Sequence, residues 1–245
     1  MEGQSKEGVR FLADHPVLAK DLVAANHILH AKKVVDGFGH VSVRHPERPD
    51  WFVIARSMAP AQVAPTDLQI INLEGSVQGD GRKPYLERFI HAEIYRAHPS
   101  INAVVHCHSE SVIPFGISQS FGLKAVYHMS SFIGECTPVF DIRDVSGDGS
   151  DMLVRGPESG KALAHTLSCH CVVLMRGHGA TIVGENIAQA VFRSVYTEIN
   201  ARIQIQAMPL QPLTYLSSAE AAAATTVNEN NIIKAWDLWL GEIAE

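Results

Sequence analysis

Cysteine is scarce in this sequence, where 245 residues include only Cys107, Cys136, Cys169 and Cys171. Four thiols at irregular spacing do not make the disulfide framework of a small secreted domain, so we expect reduced cysteines. Long apolar runs are missing as well, and the purest, CVVLM at residues 171–175, is far too short to cross a bilayer. The N-terminal segment lacks the basic-then-apolar pattern of a secretory signal. We therefore expect a cytoplasmic protein that has no membrane partner.

Blocks of basic residues are also missing, and the formal net charge is −6 with histidines neutral. A nucleic-acid-binding surface needs clustered lysine and arginine, so we do not expect nucleic acid as a partner. The 46% hydrophobic and 19% charged residues are an ordinary globular balance. The length suits one domain over residues 1–245, which ends in a C-terminal tail at 211–245. A chain of this length can bury enough surface to fold without a structural metal, so any metal that it binds can have a catalytic role.

Helical and extended patterns alternate irregularly along the chain. Apolar residues at three- and four-residue spacing predict helices over residues 16–33, 85–97, 159–167 and 187–206. Short apolar or alternating runs predict strands over residues 40–44, 51–55, 68–73, 101–106, 134–141, 152–155 and 169–175. Since helices and strands are mixed without strict alternation, we predict an α/β fold: a single domain with a central, mostly antiparallel or mixed sheet flanked by helices.

Histidine is plentiful, with 13 copies, and three of them indicate a metal site. His106 and His108 are two residues apart on a predicted strand, so their side chains point to the same face and can bind one ion. His178 lies between two glycines just past an apolar strand, where the backbone can turn sharply. Each signal alone is weak, because His-x-His occurs by chance and a turn histidine often bonds to the backbone.

Glu87 is a fourth candidate ligand, predicted on the helix over residues 85–97. It either binds the metal and moves protons or is solvated surface. Three histidines with an optional carboxylate are typical of a catalytic site, because they leave a coordination position open. These ligand types suit manganese, iron, cobalt or zinc, with one divalent ion per subunit.

Two further histidine-containing segments allow more than one interpretation. His40 follows the glycines of residues 37–39, where it either contacts a substrate or orients a loop. Cys169, His170 and Cys171 lie on a predicted strand, and a single strand cannot supply four zinc ligands. We therefore predict that the two thiols are buried and pack as small hydrophobes.

Several motifs, taken together and in order, resemble the class II aldolase/adducin family. They are GFGHVSVR at residues 37–44, Glu87, AVVHCHS at 103–109, and GHG at 177–179 before a long helix. The resemblance covers about residues 15–210, which are therefore the predicted core of the domain. The resemblance implies an αβα fold and a homotetramer with active sites at subunit interfaces. It also implies that His106, His108 and His178 bind the metal. Glu87 matches the catalytic acid/base of the family, which can itself bind the metal when substrate is absent.

Other segments depart from the aldolases of the family and resemble its decarboxylase branch, which acts on hydroxylated aromatic or pyridine dicarboxylates. His40 stands where the aldolases carry an asparagine, and ARSMAP at residues 55–60 replaces a phosphate-binding segment. RSMAP at 56–60, YLERFIH at 85–91, VYHM at 126–129 and FDIRD at 140–144 are similar to the decarboxylases. The resemblance implies a lyase of aromatic compound catabolism that decarboxylates a dihydroxyphthalate-like substrate through a metal-bound enolate. The alternative is an aldolase that cleaves a sugar phosphate or a small hydroxy-carbonyl compound.

This mechanism assigns a role to each candidate residue. Glu87 donates and accepts the proton, and Tyr127 or His128 assists. A second substrate carboxylate needs a cation, which Arg56 or Arg88 supplies unless both form structural ion pairs. The predicted substrate-binding set is His40, Ser42, Arg56, Ser57 and Arg88.

Two rival functions remain open from the residues alone. Three histidines also hold iron in enzymes that cleave substrates with oxygen, and an interaction protein could retain the fold without activity. Tyr215, Trp236 and Trp239 are the candidates in the tail for reaching a neighbouring subunit's site, with hydrophobic packing as the alternative for the tryptophans.

Overall fold

A computed structural model describes residues 11–244, which are built around one seven-stranded sheet. Its strands are β1 (His40–Arg44), β2 (Trp51–Ala55), β3 (Leu68–Asn72), β4 (Ala103–Cys107), β5 (Val139–Phe140), β6 (Val172–Met175) and β7 (Gly179–Gly184). The spatial order is β3-β2-β1-β4-β7-β6-β5. Every neighbouring pair is antiparallel except β5 and β6. The predicted mixed, mostly antiparallel sheet is confirmed.

Helices flank this sheet, as predicted. They are α1 (Pro16–Ala31), α2 (Arg88–Ala97), α3 (Ile113–Ile117), α4 (Arg143–Ser146), α5 (Pro157–Leu167), α6 (Ile187–Ala207), α7 (Ser218–Glu229) and α8 (Ile232–Glu242). Short 3-10 helices occupy Pro60–Gln62, Pro65–Asp67, His128–Ile133 and Met208–Leu210. Helix α2 packs against α5, and α6 packs against α1, β4 and β7. No helix within residues 11–244 is long and apolar enough to cross a membrane.

Strand β4 lies at the centre of the sheet, between β1 and β7, and all five of its residues are buried. Its sequence AVVHC is rich in β-branched residues, which favour a strand that is covered on both faces. The polar exception is His106, which lies near the end of the strand. The ring nitrogens of a buried histidine need polar partners. The end of β4, where His106 lies, is therefore the place to look for a functional site.

The structure corrects several of the strand predictions. The strand predicted over residues 134–141 is only Val139–Phe140, and residues 152–155 form no strand. Strand β7 was not predicted, because it begins at a glycine that reads as part of a turn. That glycine is required by the close approach of two strands, since a Cβ on Gly179 would lie 2.0 Å from the Cys107 carbonyl oxygen. Gly179 therefore allows β7 to approach β4 closely, and it does not mark the end of a strand.

The C-terminal helices fold back onto the rest of the chain. Helix α7 starts with a capping box, in which the Ser217 and Glu220 side chains bond to each other's backbone N–H groups. It packs against the 3-10 helix over His128–Ile133. Helix α8 buries Trp236 and Trp239. Both tryptophans thus take part in hydrophobic packing.

Candidate metal centre

Three histidines and one carboxylate converge where β4 ends and β7 begins. His106 lies in β4 and His108 follows it, whereas His178 comes just before β7. The antiparallel register of the two strands pairs Cys107 with Ala180 and so brings the two segments side by side. Glu87 reaches the same point from the N-terminus of α2. The sheet and α2 therefore assemble the four residues that the sequence predicted as ligands.

The four side chains present their ligand atoms to a common point. The Nε2 of His108 lies 3.2 Å from that of His106 and 3.1 Å from that of His178. The Glu87 Oε2 lies 3.6 Å from the Nε2 of both His106 and His178. All four ligand atoms lie within 4.8 Å of one another, and this group could hold a metal ion.

The spacing of the nitrogens fits one ion. Two imidazole nitrogens bound to a tetrahedral zinc at about 2.0–2.1 Å lie roughly 3.3–3.4 Å apart, close to the separations seen here. The Nδ1 atoms of His106 and His178 are buried and have no hydrogen-bond partner among the described residues. The Nε2 atoms are therefore the interacting atoms of both rings, and a cation between them would remove the repulsion of their lone pairs.

Burial keeps two of the ligand histidines in the form that binds metal. It lowers the pKa of His106 well below its usual value, and His40, His178 and His108 lower it further. Burial is also the main cause of the lowered pKa of His108. Because the neutral imidazole is the metal-binding form, these rings need little deprotonation before they bind a cation.

Glu87 is not on the helix, where the sequence placed it, but at the N-cap position of α2, which begins at Arg88. Its side chain is buried, so the alternative of a solvated surface carboxylate is wrong. The Oε1 accepts a hydrogen bond of 3.0 Å from the Val154 backbone N–H, and the Oε2 faces the histidines. Burial raises the pKa of Glu87, against the opposing effect of His178. Residues 152–155 thus hold a site residue instead of forming a strand.

His40 and Ser42 lie side by side on β1, next to the ligands. His40 pairs with His106 across β1 and β4, and the two ring centroids are 5.0 Å apart. The His40 Nδ1 lies 2.6 Å from the Nε2 of His91. The Ser42 hydroxyl is fully buried and contacts His91 and Tyr95, so its hydrogen bonds are internal. The structure gives no support to Ser42 as a direct substrate contact, and the prediction for His40 remains untested.

His91 and Tyr95 were missed by the sequence reasoning. They are four residues apart on α2 and therefore share one face of the helix. Their partners on β1 are two residues apart and share one face of the strand. The matched spacing was visible in the sequence, but the pairing of β1 with α2 was not.

The two predicted substrate-binding arginines are engaged by the protein itself. The Arg56 Nε donates to the Asp67 carboxylate at 2.8 Å, which is the structural ion pair named as the alternative. Arg88 donates to the Gly75 carbonyl at 2.7 Å and the Tyr85 carbonyl at 3.0 Å. Neither contact involves a metal-site residue, so the structure adds no support to these two predictions.

The remaining predicted residues have contacts with other parts of the chain. Ser57 is exposed, and its backbone N–H bonds to the Lys83 carbonyl. Tyr127 is half-buried and His128 is exposed, with their rings edge to face at 5.9 Å. Burial raises the pKa of Tyr127, so its hydroxyl stays protonated. The contacts found for these side chains within residues 11–244 include none with the metal ligands.

The cysteine-containing segment differs from its prediction. Strand β6 begins at Val172, and Ser168 after α5 has a φ of 50°, so residues 169–171 turn instead of extending. Cys169 is exposed and Cys171 is only partly buried. The prediction of two buried thiols on a strand was therefore wrong. The turn that precedes β6 is the physical reason.

Comparison with known proteins agrees with this geometry. The chain matches the model of the class II aldolase and adducin N-terminal domain over residues 20–205. It is 34% identical to Decarboxylase tropJ of Talaromyces stipitatus, with 91% of this chain and 93% of that protein covered. It is 25% identical to the 3,4-dihydroxyphthalate decarboxylase of Arthrobacter keyseri, with 77% and 78% covered.

A solved structure shares the fold. L-fuculose 1-phosphate aldolase from Glaciozyma antarctica PI12 superposes with a TM-score of 0.75 at 24% identity, covering 95% of this chain and 90% of that one. The family model spans most of the chain, and the tropJ protein is matched over nearly its whole length. This chain therefore belongs to the class II aldolase and adducin family.

Proposed function

We propose that this protein is a divalent-metal-dependent carboxy-lyase that acts on a hydroxylated aromatic or heteroaromatic dicarboxylate of the dihydroxyphthalate type. The observation that carries the proposal is a complete site of three histidines and a buried glutamate in a chain that is 34% identical to a decarboxylase along 91% of its length. Three further relatives, from three organisms, are named 3,4-dihydroxyphthalate decarboxylase.

His106, His108 and His178 would hold the ion, and Glu87 would be a fourth ligand before substrate arrives. The bound cation would supply Lewis acidity at the substrate oxygen where negative charge develops. Imidazole and carboxylate ligands are compatible with manganese, iron, cobalt or zinc, so we propose one such ion in each subunit.

Glu87 is suited to the proton transfer that decarboxylation requires. One oxygen is fixed by the Val154 N–H, which leaves the other to face the histidines and carry a proton. Burial raises the pKa of Glu87 by disfavouring the charged carboxylate, so this side chain holds a proton more readily than an exposed glutamate does. In the proposed reaction, Glu87 takes the proton of the substrate hydroxyl and delivers it to the ring carbon that bears the carboxylate, so the hydroxyl oxygen becomes a ketone oxygen. The carbon–carbon bond then breaks, carbon dioxide leaves, and the bonding pair passes through the ring to the hydroxyl-derived oxygen as an enolate.

A second candidate function is an aldolase that cleaves a sugar phosphate or a small hydroxy-carbonyl compound. The observation in its favour is 31% identity to a 5-deoxy-D-ribulose 1-phosphate aldolase of Bacillus thuringiensis. That similarity covers 41% of this chain, against 91% for the decarboxylase, so we rank the aldolase second.

We further propose a homotetramer with active sites at the subunit interfaces. Within residues 11–244, Tyr127 and His128 make no contact with the candidate ligands of their own chain, which supports a role for them in the site of a neighbouring subunit. Phe38 is 69% exposed although its ring centroid lies 6.4 Å from that of His108. An exposed aromatic ring at the metal site supports a covering partner. Light scattering on the purified protein measures the assembly directly, and a monomer would refute this proposal.

Product analysis separates the two candidate functions. Enzyme stripped of metal is reloaded with manganese, iron, cobalt or zinc and incubated with 3,4-dihydroxyphthalate or with a 5-deoxypentulose 1-phosphate. We expect carbon dioxide from the first compound and no aldehyde from the second. Aldehyde release without carbon dioxide would transfer the assignment to the aldolases, and oxygen consumption would indicate oxidative cleavage.

A further inference from the structure

Four buried side chains form a continuous hydrogen-bonded chain beside the metal ligands. His40 and Ser42 come from one face of β1, and His91 and Tyr95 come from one face of α2. The His40 Nδ1 lies 2.6 Å from the His91 Nε2, the His91 Nδ1 lies 2.6 Å from the Ser42 Oγ, and that oxygen lies 2.7 Å from the Tyr95 hydroxyl. None of the four residues is more than 4% exposed. Each of these short contacts must contain one hydrogen.

The direction of the hydrogens follows from the Tyr95 end of the chain. Within residues 11–244, the Ser42 oxygen is the only side-chain acceptor in hydrogen-bonding distance of the Tyr95 hydroxyl. No backbone carbonyl of the described residues accepts a hydrogen bond from this hydroxyl either. A hydroxyl hydrogen that pointed elsewhere would be a buried donor without a partner, which is costly. Tyr95 therefore donates to Ser42.

The remaining hydrogens are then determined. Ser42 accepts from Tyr95 and has one hydrogen of its own, which it donates to the Nδ1 of His91. His91 carries its hydrogen on Nε2, because burial lowers its pKa to about 3 and so keeps the ring neutral. This Nε2–H donates to the Nδ1 of His40. A histidine whose Nδ1 accepts a hydrogen bond has its hydrogen on Nε2.

The Nε2–H of His40 is free to contact a ligand. No hydrogen bond joins this nitrogen to another described residue, and the ring lies 5.0 Å from that of the ligand His106. A donor that is fixed before substrate binds loses no freedom in the complex, and an N–H bond to a carboxylate is among the stronger hydrogen bonds.

We propose that His91 is a positioning residue which, with Ser42 and Tyr95 behind it, fixes His40 so that its Nε2–H donates to a carboxylate oxygen of the substrate. This inference rests on the proposed function, since it names the group that recognises the acidic substrate. It adds two residues of α2, His91 and Tyr95, to the machinery of the site.

Two substitutions of one residue test the positioning role. In His91→Gln the amide nitrogen reaches the position of Nε2 and still donates to His40, whereas in His91→Asn it reaches only the position of Nδ1. We expect kcat/KM for 3,4-dihydroxyphthalate to fall about 10- to 100-fold in His91→Asn and less than about threefold in His91→Gln, with unchanged metal content in both. Each variant loses one hydrogen bond, so a merely structural role would affect both equally. Equal kcat/KM in the two variants would overturn the proposal.

A double-mutant cycle tests whether His91 acts through His40. In a His40→Asn background, the additional His91→Asn change should cost little, because the group that it positions is already gone. Fully additive losses would contradict the proposal.

A measurement that needs no turnover separates this proposal from the proposed function. Long-range proton–nitrogen spectra of zinc-loaded enzyme with labelled histidines report which nitrogen of His40 is protonated, and His40→Gln identifies the signal. We expect the Nε2–H form in the wild type and in His91→Gln, and its loss in His91→Asn. An Nδ1–H form in the wild type would overturn the positioning role even if carbon dioxide is released. The expected form without carbon dioxide release would refute only the proposed function.

Tyr95→Phe provides the test if His91→Asn does not fold. It keeps the ring and removes the hydrogen that sets the direction of the chain. We expect a mixture of both His40 forms in this variant, and an unchanged spectrum would contradict the proposal.

Discussion

Replacement of Glu87 by glutamine isolates the proton transfer assigned to this residue. Glutamine has nearly the same shape, and its carbonyl oxygen can still accept from the Val154 N–H that now binds Oε1 at 3.0 Å. The amide can neither donate a proton to carbon nor take one back. The three histidine ligands are unchanged, so we expect Glu87→Gln to retain its metal.

The expected loss of activity in Glu87→Gln follows from the proposed role of Glu87 as a general acid. A positioned general acid contributes about 10²- to 10⁴-fold to a rate, so kcat should fall by roughly that factor, or about 3–5 kcal/mol of barrier. The free energy of unfolding should change little, by less than about 1 kcal/mol, because the buried hydrogen bond to Val154 is kept.

Glu93→Gln is a matched control for this substitution. Glu93 lies on α2, the helix that begins directly after Glu87, and is also buried, but its carboxylate faces Arg96 at 3.4 Å and not the histidines. Carbon dioxide release and metal content are measured for both variants in parallel. Full activity in Glu87→Gln would refute the assignment of Glu87, and an equal loss in Glu93→Gln would show that any buried carboxylate of α2 matters.

Three further predictions concern the fold and its ligands. Gly179→Ala should destabilise the protein by at least about 2 kcal/mol in urea unfolding, because the new Cβ would lie 2.0 Å from the Cys107 carbonyl oxygen. Gly149→Ala is the control, since nothing lies within 4 Å of its Cβ position, and equal destabilisation would contradict the steric argument. His45 should make the protein less stable in acid: burial lowers its folded-state pKa to about 4, so below about pH 6.5 the unfolded chain binds a proton that the folded chain does not. Stability should fall from about pH 6.5 toward pH 4 and fall less in His45→Asn, and an identical pH profile for the variant would refute this assignment. Chelation of the metal should lower the melting temperature, since an ion at about 100 times its Kd stabilises the folded state by about 2.7 kcal/mol, and an unchanged temperature would contradict tight binding.

Local patterns predicted strands β1 and β2 well. Strands β1 and β2 have the predicted boundaries, because the alternating run of β1 and the apolar run of β2 are short and leave little ambiguity. Strand β7 was not predicted, because a glycine at position 179 is typical of a turn. Position 179 requires glycine because of the nearby backbone of Cys107, which lies on a strand that is distant in the sequence. Glycine spacing alone does not distinguish a turn from a close strand contact.

The four candidate ligands could be selected from the sequence for a similar reason, whereas the residues around them could not. His106 and His108 carry their geometry in a two-residue spacing, and the family motif supplies His178 and Glu87. The contact of Val154 with Glu87 and the contact of His91 with His40 join segments 67 and 51 residues apart. Such contacts depend on how α2 packs against the rest of the chain, and a local sequence pattern does not predict that packing.

The joint measurement of metal content and carbon dioxide release tests the central claim most directly. Stripped enzyme is titrated with manganese or zinc in the presence of 3,4-dihydroxyphthalate, alongside His108→Ala, which lacks the ligand shared by both short nitrogen contacts. We expect release to rise with bound metal and to reach its plateau at one ion per chain in the wild type, and we expect neither binding nor release in His108→Ala. Carbon dioxide release from the fully stripped enzyme, or full metal binding by His108→Ala, would contradict the account.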